Sequence, residues 1–244
     1  MKHGMLTKVT ILAALLISMV TVSAQMPGEQ AMKSMSFILP KLVGSNTNFT
    51  STTSVQVLEG GLETMALTMN FALSDGKIKT DLDMANMKSS SLPPEIAVQL
   101  KSTGMDKLVS IVRPDKKVIY LVYPNLSAYT ELPIKQEELE AMNSPQIEKK
   151  DLGKETVEGH PCTKQQVTVT TGGTTQVITV WNASDLKNFP VKMQAPSGAS
   201  TVVMTYKNIQ FVKTKAEAFD PAPSFMKYDM AGFQALLMKK MMGQ

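Results

Sequence analysis

The sequence contains few of the side chains on which most metal and redox sites depend. Its 244 residues include one cysteine and two histidines, and its only arginine is Arg113. A lone cysteine, Cys162, cannot form an intrachain disulfide, so the fold must be stabilised by packing alone. Because His160 is the only histidine after residue 3, a histidine cluster that binds a metal is excluded within one chain.

Long apolar runs are also scarce, and the clearest one lies at the start of the chain. Lys2 and Lys8 precede a mostly apolar run over residues 9–22, which Ser23 and Ala24 follow. This order is typical of a secretory signal peptide. We therefore predict a signal peptide at residues 1–24, and a single domain over residues 25–244. No second run of about 18 apolar residues follows, so we expect a soluble protein that is periplasmic or secreted.

A strong charge of either sign is absent as well. The formal net charge is +4, and it falls to +2 if Lys2 and Lys8 are removed with the signal peptide. Lysine and glutamate are scattered along the chain, and arginine, which makes most of the bidentate contacts to bases, occurs once. We therefore expect no nucleic-acid partner.

The strongest secondary-structure signal is the alternation in ETMALTMNFAL, residues 63–73. Apolar side chains recur with the period of two that is typical of a half-buried strand. Ser74, Asp75 and Gly76 then predict a hairpin turn, after which KIKTDLDM returns with a similar alternation. The two strands place one set of apolar side chains on a common face: Met65, Leu67, Met69, Phe71, Leu73, Ile78, Leu82 and Met84.

Similar patterns predict about ten strands, nearly all joined by hairpins. The stretch SIVRPDKKVIYLVYPNLSAYTEL, residues 110–132, predicts three short strands with turns at Pro114 and Pro124. Its middle strand, residues 118–123, is apolar on both faces, so both faces must be covered. The segment SNTNFTSTTS, residues 45–54, is polar enough to predict a link that leads into the strands.

Helical spacing predicts helices at both ends of the chain and between the strands. The expected helices cover residues 29–43, 95–101 and 134–142 and the segment after Asp229, with one further turn capped by Ser184. The C-terminal helix should direct Phe233, Leu236 and Leu237 toward a core. Strands joined by hairpins, with helices at the ends, predict an antiparallel α+β fold.

Candidate catalytic chemistry is limited to the GHPC element, residues 159–162. His160 lies two residues before Cys162, so a Cys–His nucleophile pair is one interpretation. A turn followed by a buried, inert cysteine is the favoured one. The sequence has no phosphate-binding loop, nucleophile elbow or dinucleotide-binding glycine pattern. We therefore expect no enzyme activity, no catalytic residue, no cofactor and no metal.

Methionine is unusually abundant, with 19 residues in the chain. One interpretation is Cu(I) binding, because thioethers suit soft metals, and KKMMGQ at the C-terminus is its least embedded candidate. The favoured interpretation is an apolar lining, since Met65, Met69 and Met84 alternate with other apolar side chains on strand faces. Flexible thioethers adapt to ligands of variable shape, although a plastic core would give the same pattern.

Several segments, in their order along the chain, are similar to a known group of proteins. They are KIKTDLDM, VSIVRPDKKVIYLVYPNLSAYTELP, DLGKETVEGHPCTKQQVTV, VITVWNASDLKNFPVKM and VVMTYKNIQF, within residues 77–228. They resemble a family of uncharacterised bacterial exported proteins related to the LolA-like periplasmic lipoprotein carriers and outer-membrane lipoprotein-sorting proteins. The resemblance implies a strongly curved antiparallel sheet, a half-barrel, with helices packed on its concave face. It also implies acyl chains bound between sheet and helices, but it transfers no site residue.

We therefore expect a non-catalytic lipid-binding or lipoprotein-handling protein that holds acyl chains in an apolar cavity. The alternative is a structural or protein-interaction module of the cell envelope whose cavity is filled by its own helices. The expected partners are a lipid or acyl chain and an envelope protein, and we expect a monomer. The expected lining of the cavity is Met65, Leu67, Met69, Phe71, Leu73, Ile78, Leu82, Met84, Phe233, Leu236 and Leu237.

Export is the first testable prediction. Cleavage after Ala24 should leave Gln25 as the first residue, which N-terminal sequencing of the periplasmic or secreted fraction would detect. A Leu15→Arg substitution interrupts the apolar run, so this variant should stay unprocessed and fractionate with the cytoplasm. A functional pool of wild-type protein that retains Met1 would contradict the prediction.

Overall fold

The computed structural model describes residues 29–90, 94–143, 145–171 and 174–242. Within these ranges the chain forms a sheet of thirteen strands and four α-helices. The helices are α1 (Glu29–Leu42), α2 (Pro94–Thr103), α3 (Gln136–Asn143) and α4 (Met230–Met241). The strands are β1 (Asn48–Glu59), β2 (Leu62–Ser74), β3 (Lys77–Asp83), β4 (Lys88–Ser89), β5 (Lys107–Arg113), β6 (Val118–Tyr123), β7 (Ala128–Pro133), β8 (Gln146–Val157), β9 (His160–Thr171), β10 (Thr174–Ala183), β11 (Phe189–Ser197), β12 (Ser200–Gln210) and β13 (Met226–Tyr228).

The strands lie side by side in the order β13-β7-β6-β5-β3-β2-β1-β12-β11-β10-β9-β8, and β4 pairs with β2. β13 and β7 are parallel, and the other pairs are antiparallel. The sheet does not close on itself, so β13 and β8 form its two edges. The predicted antiparallel α+β class is confirmed. The predicted signal peptide at residues 1–24 lies outside the described residues, and the boundaries of the single domain stay predictions.

The number of strands differs from the prediction of about ten, and the polar start of β1 explains part of the difference. Residues 48–54 belong to this strand rather than to a link. Ser51 and Thr53 face the core, where their hydroxyl groups hydrogen-bond each other at 3.1 Å. Because these buried side chains satisfy their own polarity, the segment can be a core strand without apolar alternation. The short strands β4 and β13 and the exposed edge strand β8 also carry too weak a pattern to predict.

Local turn and cap signals agree with the structure at four of five predicted positions. The predicted turns at Pro114 and Pro124 are the 3₁₀ turns Pro114–Lys116 and Pro124–Leu126. Asp75 and Gly76 have φ angles of +50° and +76°, as the predicted β2–β3 hairpin requires. Asp229 caps α4, since its carboxylate accepts a 2.7 Å hydrogen bond from the Gly232 amide. Ser184 does not act as a cap; it begins the 3₁₀ turn Ser184–Leu186, and its hydroxyl donates to the Pro161 carbonyl at 3.0 Å.

The sheet has an inner face, defined here as the face that carries the alternating apolar side chains of β2. Three groups of buried side chains cover the two faces. On the inner face, the α1 cluster joins α1 to the central strands, and its fully buried members include Met35, Leu39, Phe49, Phe71, Phe189, Met193, Met204 and Tyr206. Also on the inner face, the α4 cluster contains Ile96, Leu100, Met105, Tyr123, Ala128, Phe233 and Leu237. The opposite, outer face carries the outer cluster of Ile111, Tyr120, Val122 and Phe219.

Four aromatic rings hold the centre of the α1 cluster together. The Phe49 ring lies 4.7 Å from Phe189 in an edge-to-face contact and 5.6 Å from Phe71 in a stacked one. Tyr206 contacts the same rings, and its hydroxyl donates to the Met193 sulfur at 3.9 Å. Burial raises the pKa of Tyr206 well above its ordinary value. The rings come from β1, β2, β11 and β12, so this contact joins both halves of the sheet.

Residues 211–225, which connect β12 to β13 and are called the strap here, cover the part of the outer face beside β3, β5 and β6. The Thr214 amide donates to the Ser74 hydroxyl at 3.0 Å, and Phe219 is buried in the outer cluster. The buried guanidinium of Arg113 donates to the Phe219 carbonyl at 3.1 Å and to Asp220 at 2.6 Å. It also holds the pKa of Asp115 at about 2. The strap covers the outer face of residues 118–123 and helices α2 and α4 cover the inner one, as their apolar pattern predicts.

Replacing Phe49 tests how much this aromatic centre contributes to the free energy of unfolding. Because the side chain is fully buried, Phe49→Ala should lower the free energy of unfolding by about 3–5 kcal/mol, measured by urea denaturation. The matched control is Phe211→Ala. The Phe211 ring is 37% exposed and lies beside the cluster in an edge-to-face contact with Phe189, so its loss should cost about 1 kcal/mol or less. Equal losses in the two variants would contradict the assignment of the centre to Phe49.

Candidate functional site

The five apolar side chains predicted on β2 lie together on the inner face. Met65, Leu67, Phe71 and Leu73 are buried, and Met69 is half-buried. Their partners on β1 follow in register, with Leu67 opposite Val55 and Leu73 opposite Phe49. We call these five residues, Met65, Leu67, Met69, Phe71 and Leu73, the stripe, and they all belong to or pack against the α1 cluster.

The next strand continues the same surface. On β3, Ile78 lies opposite Leu73 and Leu82 lies opposite Met69, so these side chains share the inner face. Ile78 is buried and Leu82 is half-buried. Met84 follows in a 3₁₀ turn, where it is half-buried and packs against the α4 cluster. The structure therefore brings these three predicted residues onto one surface with the stripe.

The three predicted residues of the C-terminal helix lie in a different place. Phe233 and Leu237 are buried in the α4 cluster, and Leu236 packs against it. The Phe233 ring stacks on Tyr123 with centroids 4.5 Å apart. Helix α4 directly follows β13, which pairs with β7 at the edge of the sheet. The helix therefore lies next to β5, β6 and β7. It therefore lies beside the stripe on the inner face and does not cover β2.

The two inner clusters meet along a line of half-buried apolar side chains. Leu82 packs against the α1 cluster and Leu108 against the α4 cluster, and the two residues are direct partners in the β3–β5 register. Met69 on β2 is the direct partner of Leu82 in the β2–β3 register. Leu121 lies on β6, which pairs with β5. We call these four half-buried residues, Met69, Leu82, Leu108 and Leu121, the apolar strip.

Sequence reasoning missed Leu108 and Leu121, and it did not identify which helix covers the α1 cluster. Strands β5 and β6 are apolar on both faces, so alternation does not reveal which side chains point inward. The cover of the α1 cluster comes from α1, which packs against β11, β12 and α3. Met35 and Leu39 of this helix are fully buried. The helical spacing of residues 29–43 was the sequence signal that could have identified α1 as this cover.

The GHPC element does not form a Cys–His pair. The His160 ring nitrogen Nδ1 donates to the Asp185 carboxylate at 2.8 Å. The Cys162 thiol is buried and donates to the carbonyl of His160 at 3.3 Å. Burial raises the pKa of the Cys162 thiol, which disfavours the reactive thiolate. This arrangement matches the interpretation of an inert cysteine.

Neither a metal-binding cluster nor a membrane-spanning helix is found among the described residues. Among them, no group of three or more His, Cys, Asp or Glu side chains is placed to hold a metal ion. None of the helices in the described ranges combines the length and the hydropathy that a membrane span requires.

A groove of about 410 Å³ lies on the outer face, away from the apolar strip. It is lined mostly by polar residues, which include Thr50, Thr52, Asn70, Lys79, Asp81, Asn208, Gln210 and Thr214.

Residues 60–189 match the family model described as a domain of unknown function, DUF4412. The chain belongs to this family. The match covers β2 to the start of β11, which includes the stripe and the whole apolar strip. It leaves out α1 and α4, the two helices that pack at opposite ends of the inner face. A search among curated proteins finds no match.

Solved structures with a related fold include proteins of the group named from the sequence. Lipoprotein LppX of Mycobacterium tuberculosis is 12% identical, with a TM-score of 0.41 over 74% of this chain and 95% of that one. A LolA superfamily protein of Nitrosomonas europaea is 10% identical, with a TM-score of 0.35 over 77% and 97%. A domain assigned as an outer membrane lipoprotein-sorting protein from Vibrio parahaemolyticus is 8% identical, with a TM-score of 0.29 over 80% and 96%.

The environment of Cys162 gives a prediction about thiol reactivity. Since the thiol is buried and its pKa is raised, Ellman's reagent should label the native protein at least about 100-fold more slowly than the urea-unfolded protein. His160→Ala removes the hydrogen bond to Asp185 and leaves Cys162 buried, so its native labelling should stay slow. Rapid, complete labelling of the native wild-type protein would contradict the inert assignment.

Proposed function

We propose that this protein is an exported, non-catalytic carrier that binds acyl chains of a lipid or lipoprotein along the inner face of its sheet. The observation that carries the proposal is the apolar strip, Met69, Leu82, Leu108 and Leu121, which is half-buried between two helix-covered clusters. In this proposal the open sheet acts as a half-barrel in the cell envelope, and α1 and α4 border its ligand site.

The dimensions of the strip suit an extended hydrocarbon chain. It crosses β2, β3, β5 and β6, and three strand spacings of about 4.8 Å give a path of about 14 Å. The stripe along β2 adds a second direction of about 13 Å. Burial of each methylene contributes about 0.8 kcal/mol, so a chain of about ten methylenes could bind after the cost of ordering it.

Methionine supports the proposal through its adaptability. Met69 belongs to the strip, and Met65, Met193 and Met204 lie on the same inner face. An unbranched thioether side chain repacks around ligands of different shape more easily than a branched one. Helix α1 adds Met35 from above. We propose that α1 is the element that moves when a ligand enters.

A second candidate function is a structural or protein-interaction module of the cell envelope. The observation that favours it is the packing of α1, because Met35 and Leu39 are fully buried against the sheet. If these side chains fill the inner face permanently, no space remains for a ligand. The two candidates therefore differ in whether apolar molecules enter the protein.

Uptake of a fluorescent fatty acid by the purified protein tests the carrier proposal. Leu82→Asp places a carboxylate in the middle of the strip, where its desolvation opposes an apolar ligand, so uptake should fall at least about tenfold. The matched control is Val177→Asp. Val177 is a strand residue that is 39% exposed on the outer face, and this change should leave uptake intact.

Leu39→Ala separates the two candidate functions. The substitution should cost about 2–5 kcal/mol of unfolding free energy, since Leu39 is fully buried. In a carrier the space it opens should also raise probe uptake, and native mass spectrometry of the wild-type protein should detect a co-purified lipid. Loss of stability without uptake in either protein would favour the structural module.

A further inference from the structure

Helix α4 is apolar on two sides. Its inner side packs Phe233 and Leu237 into the α4 cluster. A second row of apolar side chains, spaced by four, three and four residues, lies on one side of the helix and ends at its C-cap residue. All four side chains of this row are exposed, and they are Ala231, Ala235, Met238 and Met242. Met238 is 45% exposed and Met242 is 59% exposed, so the row is unpartnered within the described chain.

The charges of α4 have a single sign. The helix contains no acidic residue, and its last turn carries Lys239 and Lys240, which are exposed. No carboxylate of the described residues forms an ion pair with either lysine, whereas the nearby Lys227 pairs with Glu131. The row therefore ends in a positive charge that no described side chain neutralises.

The size of the row favours a lipid surface over a protein partner as its occupant. A helix of twelve residues is about 18 Å long, and the row offers two alanines and two methionines. A stable protein interface buries about 1,600 Å², which this surface is too small to supply. Insertion into the headgroup region of a bilayer needs only an apolar helix face with flanking lysines.

We propose that α4 docks on an anionic lipid surface through Ala231, Ala235, Met238 and Met242, with Lys239 and Lys240 bound to the headgroups. The inference deepens the proposed carrier function and rests on it, because docking gives the strip access to lipid. Phe233 and Leu237 on the other side of the helix share the α4 cluster with Leu108 and Leu121 of the strip. One helix would thus contact both the bilayer and the ligand site.

Vesicle flotation tests the proposal with the full mature protein. Wild-type protein should bind vesicles of phosphatidylglycerol and phosphatidylcholine at low salt, and bind pure phosphatidylcholine weakly. K239Q/K240Q removes two headgroup contacts and should weaken binding to the anionic vesicles about 30-fold. M238S/M242S removes the inserted side chains and should weaken it at least about tenfold.

The control is K149Q/K150Q, the same charge change at exposed positions of β8, which should bind like the wild-type protein. Three results would overturn the proposal. They are no binding to anionic vesicles, equal loss in the control, or a wild-type dimer in sedimentation that M238S/M242S dissociates, which would assign the row to a second copy. Vesicle binding without fatty-acid uptake would support docking and overturn the carrier function, so the two failures are distinguishable.

Discussion

The register between β1 and β2 is the constraint on which the rest of the structure depends. It places Phe49 opposite Leu73 and Val55 opposite Leu67, so one set of side chains faces inward along both strands. A slip of one residue would move this whole set to the outer face. The Phe49 ring fixes the register, because its contacts with Phe71 and Phe189 come from strands on both sides of β1.

The width of the sheet explains why its inner face has two helical covers and a strip between them. Twelve strands in one path, at about 4.8 Å each, span about 50 Å, whereas a helix with its side chains is about 10–12 Å wide. Helix α1 covers the side of β11 and β12, and α2 and α4 cover the side of β5 to β7. Leu82 and Leu108, which lie where the two covers meet, stay half-buried.

The sequence predicts local features of the fold well and the positions of distant elements poorly. The alternation in residues 63–73 predicts the inner face of β2, and Asp229 predicts the start of α4. Both signals act between neighbouring residues. The position of α4 depends on the parallel pairing of β13 with β7, about 100 residues away in the chain, and no local period encodes that pairing. The buried hydroxyls of β1 were missed because Ser51 and Thr53 satisfy each other only once the strand is folded.

The methionine side chains lie in three environments, which are buried, half-buried and exposed. The difference between these environments bears on function. Met35 and Met204 are fully buried, where their flexibility fills irregular space. Met69 is half-buried in the strip, where the same flexibility can follow a ligand. Met238 and Met242 are exposed on a helix that is already anchored by its other side, so they contribute nothing to the core. Core packing explains the first environment and not the third, since exposed thioethers without a partner leave apolar surface in water. The proposed docking on a lipid surface would supply the partner that the third environment lacks, because a flexible thioether can pack against lipid as well as against protein.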